Sequence, residues 1–287
     1  MFKYYIYKFG QFLASRFPLN VSYRIAIFLS DFQYIFSFRD RRSVTQNLRL
    51  ILKKDKILKQ DIKEVFRNFG IYLMEFLRMD KMLTPDFIEK NVKIENLGAV
   101  KKALEGGKGG IILSAHIGNW EMGGTVIARL GFPFTAVALP HKERPVNQLF
   151  NHQREVHGVT VIPSNIGVRK CVEYLKDNKL VALVGDRDFG NHGEIMDFLG
   201  GRSSIPKGPA IFSLKTGAPI IPSFFIRNED KTFTLYFSDP IYPPTQEKYQ
   251  TGHEDVIRLM QAYIQEIEKK VRQFPTQWLV FREFNIQ

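Results

Sequence analysis

The chain has 287 residues, of which 44% are hydrophobic and 24% are charged. This composition excludes global disorder and supplies a full hydrophobic core, so one large domain with an appendage is expected. The single cysteine, Cys171, excludes an internal disulfide and is consistent with a reducing compartment.

The net charge of +12 is concentrated near the N-terminus, where residues 1–60 hold twelve Lys or Arg and three Asp. The first 38 residues also hold thirteen aromatic side chains. Such a segment suits an anionic membrane surface, because cations meet the headgroups while rings lie at the interface. A basic helical layer packed on its own domain remains an alternative. Nucleic acid would attract the same charge but is not expected as a partner.

No membrane-spanning helix is expected in this N-terminal segment. The most apolar stretch, "VSYRIAIFLSDFQYIFSF", is interrupted by Arg24 and Asp31, and a span needs about 20 mainly apolar residues. The first residues, "MFKYYIYKFGQFLASRF", lack a clear cleavage site. We therefore expect peripheral or monotopic membrane association through the N-terminal helices.

The periodicity divides the chain into a helical region at 1–85 and an α/β region at 86–287, which we expect to be one continuous unit. Apolar residues at 62, 65, 66, 69 and 73 follow the spacing of one helix face. After residue 85, strand-like runs alternate with helical patterns. The predicted strands are, in order, "VKIENLG", "GGIILSA", "FTAVALP", "VTVIP", "LVALVGD", "APIIPSFFIR" and "TFTLYFSDPI". This alternation predicts an α/β fold with a mostly parallel central sheet flanked by helices, capped by the N-terminal helices.

The stretch "SAHIGNWE", residues 114–121, places His116 where a buried strand ends and Glu121 in the first turn of the next helix. Ligands of open α/β sheets bind outside the carboxyl ends of the strands. Histidine titrates near neutral pH, and a carboxylate partner would orient it and stabilise its charged form. The pattern therefore indicates a general base, His116, oriented by Glu121. The alternative is a satisfied buried histidine beside a glutamate favoured by the helix dipole.

A second strand end carries Asp186, Arg187 and Asp188, in "VALVGDRDFG". Three charges after an apolar strand are costly unless they face a cleft or pair with one another. They are candidate site residues, with a salt-bridge cluster at the rim as the alternative.

Two further features are candidate anion sites. Lys207 and Gly208, in "PKGP", open a predicted helix whose N-terminus could bind an anion; an ordinary capped loop is the alternative. Arg144, Arg154 and Arg169 lie between the two strand ends, and any of them could bind a phosphate or a thioester carrier. Arg154 is the favoured one.

These stretches resemble a known family. "HIGNWE" is similar to the H-x4-D/E box of glycerolipid and lysophospholipid acyltransferases. It resembles more narrowly the box of bacterial lipid A biosynthesis acyltransferases and the related phosphatidylinositol mannoside acyltransferases. Further blocks resemble that family in the same order: "NQLFNHQREVHGVTVIP", "VGDRDFG", "DFLGGRSSIPKGPAIFSLKTGAPIIP" and "FPTQWLVFREF". The resemblance covers most of the chain.

The resemblance implies acyl transfer from a thioester to a hydroxyl of a membrane lipid or glycolipid. Acyl carrier protein is favoured over coenzyme A as the donor's carrier, and no metal or cofactor beyond the thioester is implied. It also implies a location on the cytoplasmic face of the inner membrane. His116 would be the base and Glu121 its orienting residue. The residues to which we assign substrate or oxyanion contacts are Asn119, Arg154, Asp186, Arg187, Asp188, Lys207 and Gly208.

Two alternatives remain open at this stage. Water could replace the acceptor, which would make the protein a thioesterase that uses the same pair. The protein could also be a non-catalytic basic lipid-binding member of the fold.

Overall fold

The computed structural model describes residues 1–164, 167–190, 192–244 and 252–285. The chain begins with a helical layer, interrupted at Pro18, which lacks the amide hydrogen that would continue a helix. Its helices are α1 (Phe2–Arg16), α2 (Leu19–Phe36), α3 (Phe38–Leu52), α4 (Lys59–Leu77), α5 (Met79–Met82) and α6 (Pro85–Asn91). None of the helices in the described ranges is both long and apolar enough to cross a membrane.

The rest of the chain forms a seven-stranded sheet and a separate two-stranded hairpin. The strands are β1 (Val92–Glu95), β2 (Gly110–Ser114), β3 (Phe134–Ala138), β4 (Thr160–Pro163), β5 (Leu180–Val184), β6 (Glu194–Phe198), β7 (Gly201–Ile205), β8 (Ile220–Arg227) and β9 (Phe233–Phe237). The sheet order is β1-β9-β8-β2-β5-β3-β4, and only the β8–β9 pair is antiparallel. The predicted α/β fold with a mostly parallel sheet is therefore confirmed.

Helices cover both faces of the sheet. They are α7 (Gly98–Glu105), α8 (Trp120–Arg129), α9 (Arg144–Glu155), α10 (Gly167–Lys176), α11 (Gly208–Thr216) and α12 (His253–Gln273). Side chains alternate along a strand, so Ile111 and Leu113 pack with α10, α11 and α12, whereas Ile112 packs with α7 and α8. The apolar runs of the sequence follow from this burial on both faces.

A buried polar cluster joins the helical layer to the sheet. Glu75, on α4, is 1% exposed. Its carboxylate accepts from the Tyr23 hydroxyl at 2.9 Å, from Arg227 Nη1 at 3.2 Å and from Asn119 Nδ2 at 2.8 Å. Burial, followed by the negative charge of Glu75, raises the pKa of Tyr23, so Tyr23 stays a neutral donor. The three partners come from α2, the end of β8 and the turn before α8, so Glu75 fixes the layer against the sheet.

The substitution Glu75→Ala is expected to lower the free energy of unfolding by about 3–5 kcal/mol, because it leaves Arg227 with an uncompensated buried charge. Tyr23→Phe is the matched control and should cost about 0.5–1.5 kcal/mol, since it removes one neutral donor. Urea unfolding of both variants measures the difference. Equal costs for the two variants would contradict the role assigned to Glu75.

Candidate active site

The register of two central strands brings His116 and Asp186 together. β2 and β5 are parallel neighbours, and Ser114 pairs with Val184 at their carboxyl ends. The pairing continues by one hydrogen bond, from Gly185 N to Ser114 O at 2.8 Å. His116 and Asp186 each lie two residues beyond a paired residue, so they meet at the same edge of the sheet.

Asp186 is the carboxylate that orients His116. Its Oδ1 lies 2.8 Å from His116 Nδ1, and its Oδ2 accepts from His116 N at 3.0 Å and from Trp278 Nε1 at 2.8 Å. Burial alone would raise the pKa of this fully buried carboxyl, but His116, Trp278 and the backbone amide outweigh burial and lower the pKa. An ionised Asp186 requires the proton on Nδ1 of a neutral imidazole, which leaves Nε2 as the basic nitrogen.

Glu121 has a different partner from the one expected. Its two carboxylate oxygens accept from Arg154 Nε at 2.8 Å and Arg154 Nη2 at 2.6 Å. Among the described residues, no hydrogen bond joins Glu121 to His116. The prediction that Glu121 orients His116 is therefore corrected, because the helical turn directs Glu121 toward α9 while β5 supplies the nearer carboxylate.

The Glu121–Arg154 pair is rigid and charged. Arg154 Nη1 also donates to Asn151 Oδ1 at 3.2 Å. Burial lowers the pKa of the Arg154 guanidinium, but the charge and hydrogen bonds of Glu121 more than offset it, and the net pKa is raised. The pair thus places two opposite charges, bonded to each other, between α8 and α9.

Gly118 permits the tight turn between His116 and α8. Its φ is +61°, and a Cβ built on it would lie 2.0 Å from the Phe225 carbonyl oxygen. Gly118 N donates to Gln277 O at 2.9 Å, and Asn119 N donates to Phe225 O at 2.9 Å. The turn is thus held between β8 and the C-terminal segment, where any side chain at 118 would collide.

Asn119 shapes this turn and does not contact the cavity beside His116. Its Oδ1 accepts from Met122 N at 3.1 Å and caps α8, and its Nδ2 donates to Glu75. The side chain is 1% exposed. The predicted substrate contact is corrected accordingly, because both ends of the amide are already bonded within the protein.

An apolar cavity of about 580 Å³ opens beside His116. Its lining includes His116, residues of β2, β3, β5 and α8, and the buried side chains of Phe225 and Leu235. Glu121 and Arg154 lie in its wall, and Leu139, His141 and Phe189 are exposed parts of its lining. Its remaining lining is largely aliphatic and aromatic, with residues such as Ile112, Ile127, Phe134, Ala136, Phe150, Val159, Ala182 and Val184. Such a size and lining match a small-molecule site.

Asp188, Lys207 and Gly208 do not line this cavity. Asp188 accepts from Gly190 N at 2.9 Å, Gly193 N at 2.7 Å and Ser204 Oγ at 2.9 Å, so it shapes the loop after β5. Lys207 pairs with Glu194 at 3.0 Å, and Gly208 begins α11. These groups serve the hairpin and the helix start, and their expected substrate contacts stay predictions.

The other arginines differ from Arg154 in their surroundings. Arg144 is exposed at the start of α9. Arg169 is exposed on α10 and pairs with Glu173 at 2.9 Å. Arg187 is half-buried beside Asp186, with its guanidinium 4.7 Å from the Phe189 ring centroid.

Two groups that shape the site were missed from the sequence. Trp278 binds Asp186 from the C-terminal segment, and Tyr72 stacks on Trp120 at 4.3 Å between ring centroids. Trp278 could have been predicted as a site residue, because it lies in the "FPTQW" block that resembles the family. Tyr72 could not, because it lies on a helix with no local pattern that distinguishes it from its neighbours.

A model of one protein family, described as bacterial lipid A biosynthesis acyltransferase, matches residues 1–284. The chain belongs to this family. The family predicted from the sequence blocks is thereby confirmed. Members of this family acylate lipids.

Two relatives illustrate the range of this family. A protein named phosphatidylinositol mannoside acyltransferase, from Mycolicibacterium smegmatis, is 29% identical over 76% of this chain and 69% of its own length. A lipid A biosynthesis palmitoleoyltransferase from Escherichia coli is 25% identical over 78% of this chain and 71% of its own length. The solved structure of PlsC, the 1-acyl-sn-glycerophosphate acyltransferase of Thermotoga maritima, aligns at 13% identity and a TM-score of 0.40, over 87% of this chain and 98% of PlsC.

The substitution Asp186→Asn is expected to release His116 from its single tautomer, because an amide can donate as well as accept and no longer demands a proton on Nδ1. Nitrogen-15 NMR of the imidazole measures the two tautomers directly. Asp197→Asn, an exposed aspartate of β6, is the matched control and should leave the signals unchanged. An unaltered tautomer in Asp186→Asn would contradict the orienting role.

Proposed function

We propose that this protein transfers a fatty acyl group from an acyl thioester to a hydroxyl of a membrane lipid or glycolipid, with His116 as the general base. The observation that carries the proposal is the position of His116. Its Nδ1 is occupied by a buried carboxylate, no hydrogen bond to Nε2 occurs among the described residues, and the ring lines an apolar cavity.

The reaction then follows from this geometry. Nε2 removes the proton of the acceptor hydroxyl as its oxygen attacks the thioester carbonyl carbon. The new C–O bond forms, the C–S bond breaks, and the proton on Nε2 passes to the departing thiolate. Asp186 stabilises the imidazolium that exists between the two proton transfers.

The cavity supports a long apolar acyl chain as the transferred group. Its lining is aliphatic and aromatic away from His116, so an acyl chain would replace water there without losing hydrogen bonds. Glu121 and Arg154, at the polar end, are placed to hold hydroxyls of the acceptor or the thioester oxygen. In this proposal Glu121 acts by holding Arg154 in place and by binding the substrate, and it does not orient His116.

We infer a protein-bound donor, acyl carrier protein, ahead of coenzyme A. The loop at the cavity mouth contains Leu139 and His141 and carries the exposed cations Lys142 and Arg144. A carrier protein with an acidic surface would be attracted to these cations and to the net charge of +12.

The enzyme assay combines wild type and His116→Ala with acyl carrier protein and coenzyme A thioesters and a panel of glycolipid acceptors. Wild type should form acylated lipid, and His116→Ala should lower kcat by about 10²–10⁴-fold, the contribution of a positioned base. His253→Ala, an exposed histidine at the start of α12, should match wild type. Mass spectrometry of the product identifies acceptor and chain together.

Full activity of a correctly folded His116→Ala would disprove the histidine-base mechanism. Release of free fatty acid that added acceptor does not reduce would show a thioesterase instead. Lipid binding without turnover of any thioester would show a non-catalytic protein.

We also propose that the outer faces of α1 and α2 bind the cytoplasmic face of the inner membrane, where acyl thioesters are available. Phe28, Phe32 and Phe36 are between 57% and 70% exposed along one side of α2. Lysines and arginines of the same helices would meet anionic headgroups. α1 also adjoins the cavity wall, since Tyr7 packs at 5.3 Å on Phe150. This placement would give lipid substrates a short route to His116.

Changing these three exposed phenylalanines to serine is expected to weaken binding to vesicles that contain anionic lipid, because apolar area leaves the interface while the core stays intact. The control replaces three exposed apolar residues elsewhere, Leu58, Val168 and Ile195, by serine. Vesicle sedimentation measures the bound fraction. A similar loss in both triple variants, or none in the first, would contradict membrane binding through α2.

A further inference from the structure

Arg187 is a half-buried cation at the end of β5. It directly follows Asp186. Within the described ranges of the chain, its guanidinium makes no hydrogen bond and no ion pair, and its contact is with the face of the Phe189 ring. A guanidinium has five N–H donors, and a partly buried one normally meets a carboxylate or another acceptor. The flat face of the Arg187 guanidinium stacks on the Phe189 ring. Its N–H groups have no acceptor among the described residues.

Arg187 and His116 contact the same aromatic ring, that of Phe189. The Arg187 guanidinium carbon lies 4.7 Å from the centroid of the Phe189 ring. The centroids of the Phe189 and His116 rings are 6.1 Å apart. Phe189 lines the cavity and is 54% exposed. Arg187 is therefore at the rim of the cavity, one aromatic ring away from His116.

A second arginine, Arg282, lies on the C-terminal segment. Burial lowers the pKa of Arg187, the negative charge of Asp186 raises it, and the positive charge of Arg282 lowers it by a smaller amount. Arg282 is exposed on the C-terminal segment. That segment lies beside the site, because Leu279 N donates to His116 O at 2.7 Å. Asn47 Nδ2 holds it to α3 by donating to the carbonyls of Val280 at 3.0 Å and Arg282 at 2.9 Å.

Among the described residues, no carboxylate forms an ion pair with Arg187 or Arg282. Both oxygens of Asp186 are taken by His116 and Trp278. Glu283 has its own cation, Arg42, at 3.9 Å. Guanidinium groups bind phosphate through two parallel N–H···O bonds, so an anionic group of a ligand is the expected acceptor for Arg187.

We propose that Arg187 binds a phosphate group of a substrate at the rim of the cavity. The proposal rests on the proposed acyl transfer for the identity of the substrate. The phosphate is either that of the acceptor's headgroup or that of the donor's pantetheine arm. In both cases the anion holds the substrate while its reacting group reaches His116.

The first experiment measures anion binding without turnover, by titrating inorganic pyrophosphate into the full chain in a calorimeter. Arg187→Gln should weaken binding about 10- to 100-fold, the loss expected for charge-assisted hydrogen bonds. Arg187→Lys should bind pyrophosphate with intermediate affinity, because lysine keeps the positive charge but lacks the paired N–H donors of the guanidinium. Arg258→Gln, an exposed arginine on α12, is the control and should bind as wild type does.

The second experiment identifies the source of the phosphate. KM is measured for an acyl coenzyme A and for an acyl N-acetylcysteamine thioester, which has no phosphate, and for a glycolipid acceptor with and without its phosphate. Arg187→Gln should raise KM about tenfold only for the substrate whose phosphate it binds, with kcat changed less than about threefold. A rise confined to the phosphorylated acceptor assigns the site to the headgroup, and one confined to coenzyme A assigns it to the donor.

Either of two results overturns the proposal. One is pyrophosphate binding that is absent, or unchanged in Arg187→Gln. The other is an equal rise in KM for the phosphate-free analogues, which would show a purely structural role. Because the titration needs no reaction, a protein that binds pyrophosphate through Arg187 yet transfers no acyl group would contradict the proposed function and leave the anion site standing.

Discussion

The buried carboxylate of Asp186 is the constraint on which the site depends. An ionised carboxyl in the interior is costly unless donors surround it, and here the donors come from His116 and Trp278. These residues belong to two segments that are far apart in sequence. The site can therefore form only after β2 has paired with β5 in register and the C-terminal segment has docked. The same contacts that satisfy the charge also fix the tautomer of His116.

A second buried carboxylate, that of Glu75, extends this dependence to the N-terminal helices. Glu75 holds Asn119, which caps α8 and borders the turn that carries Gly118. The helices proposed to meet the membrane are thus connected through side chains to the turn beside His116. The helical layer is part of the site's support as well as its route to lipid.

Much of the fold could be predicted because its elements carry strong local patterns. β2, β5 and β8 are apolar runs bounded by glycine, proline or charge, and α4 and α12 have helical periodicity over many turns. The β6–β7 hairpin was missed. Its two-residue turn places Leu199 at φ +53° and Gly200 at φ +87°, and a leucine in that conformation is uncommon. These residues lie in the block "DFLGGRSSIPKGPAIFSLKTGAPIIP", which was quoted for its resemblance to the family. That resemblance did not indicate a turn.

Three features follow from the amino-acid sequence alone: a histidine at the end of a buried strand, charged residues at the end of a second strand, and first helices that are basic and aromatic. Those features depend on composition and on spacing along the chain. The carboxylate that bonds His116 could not be predicted from spacing along the chain, because it depends on strand register and helix direction. Glu121 is five residues away in sequence yet turns to Arg154, whereas Asp186 is 70 residues away and lies 2.8 Å from the ring nitrogen.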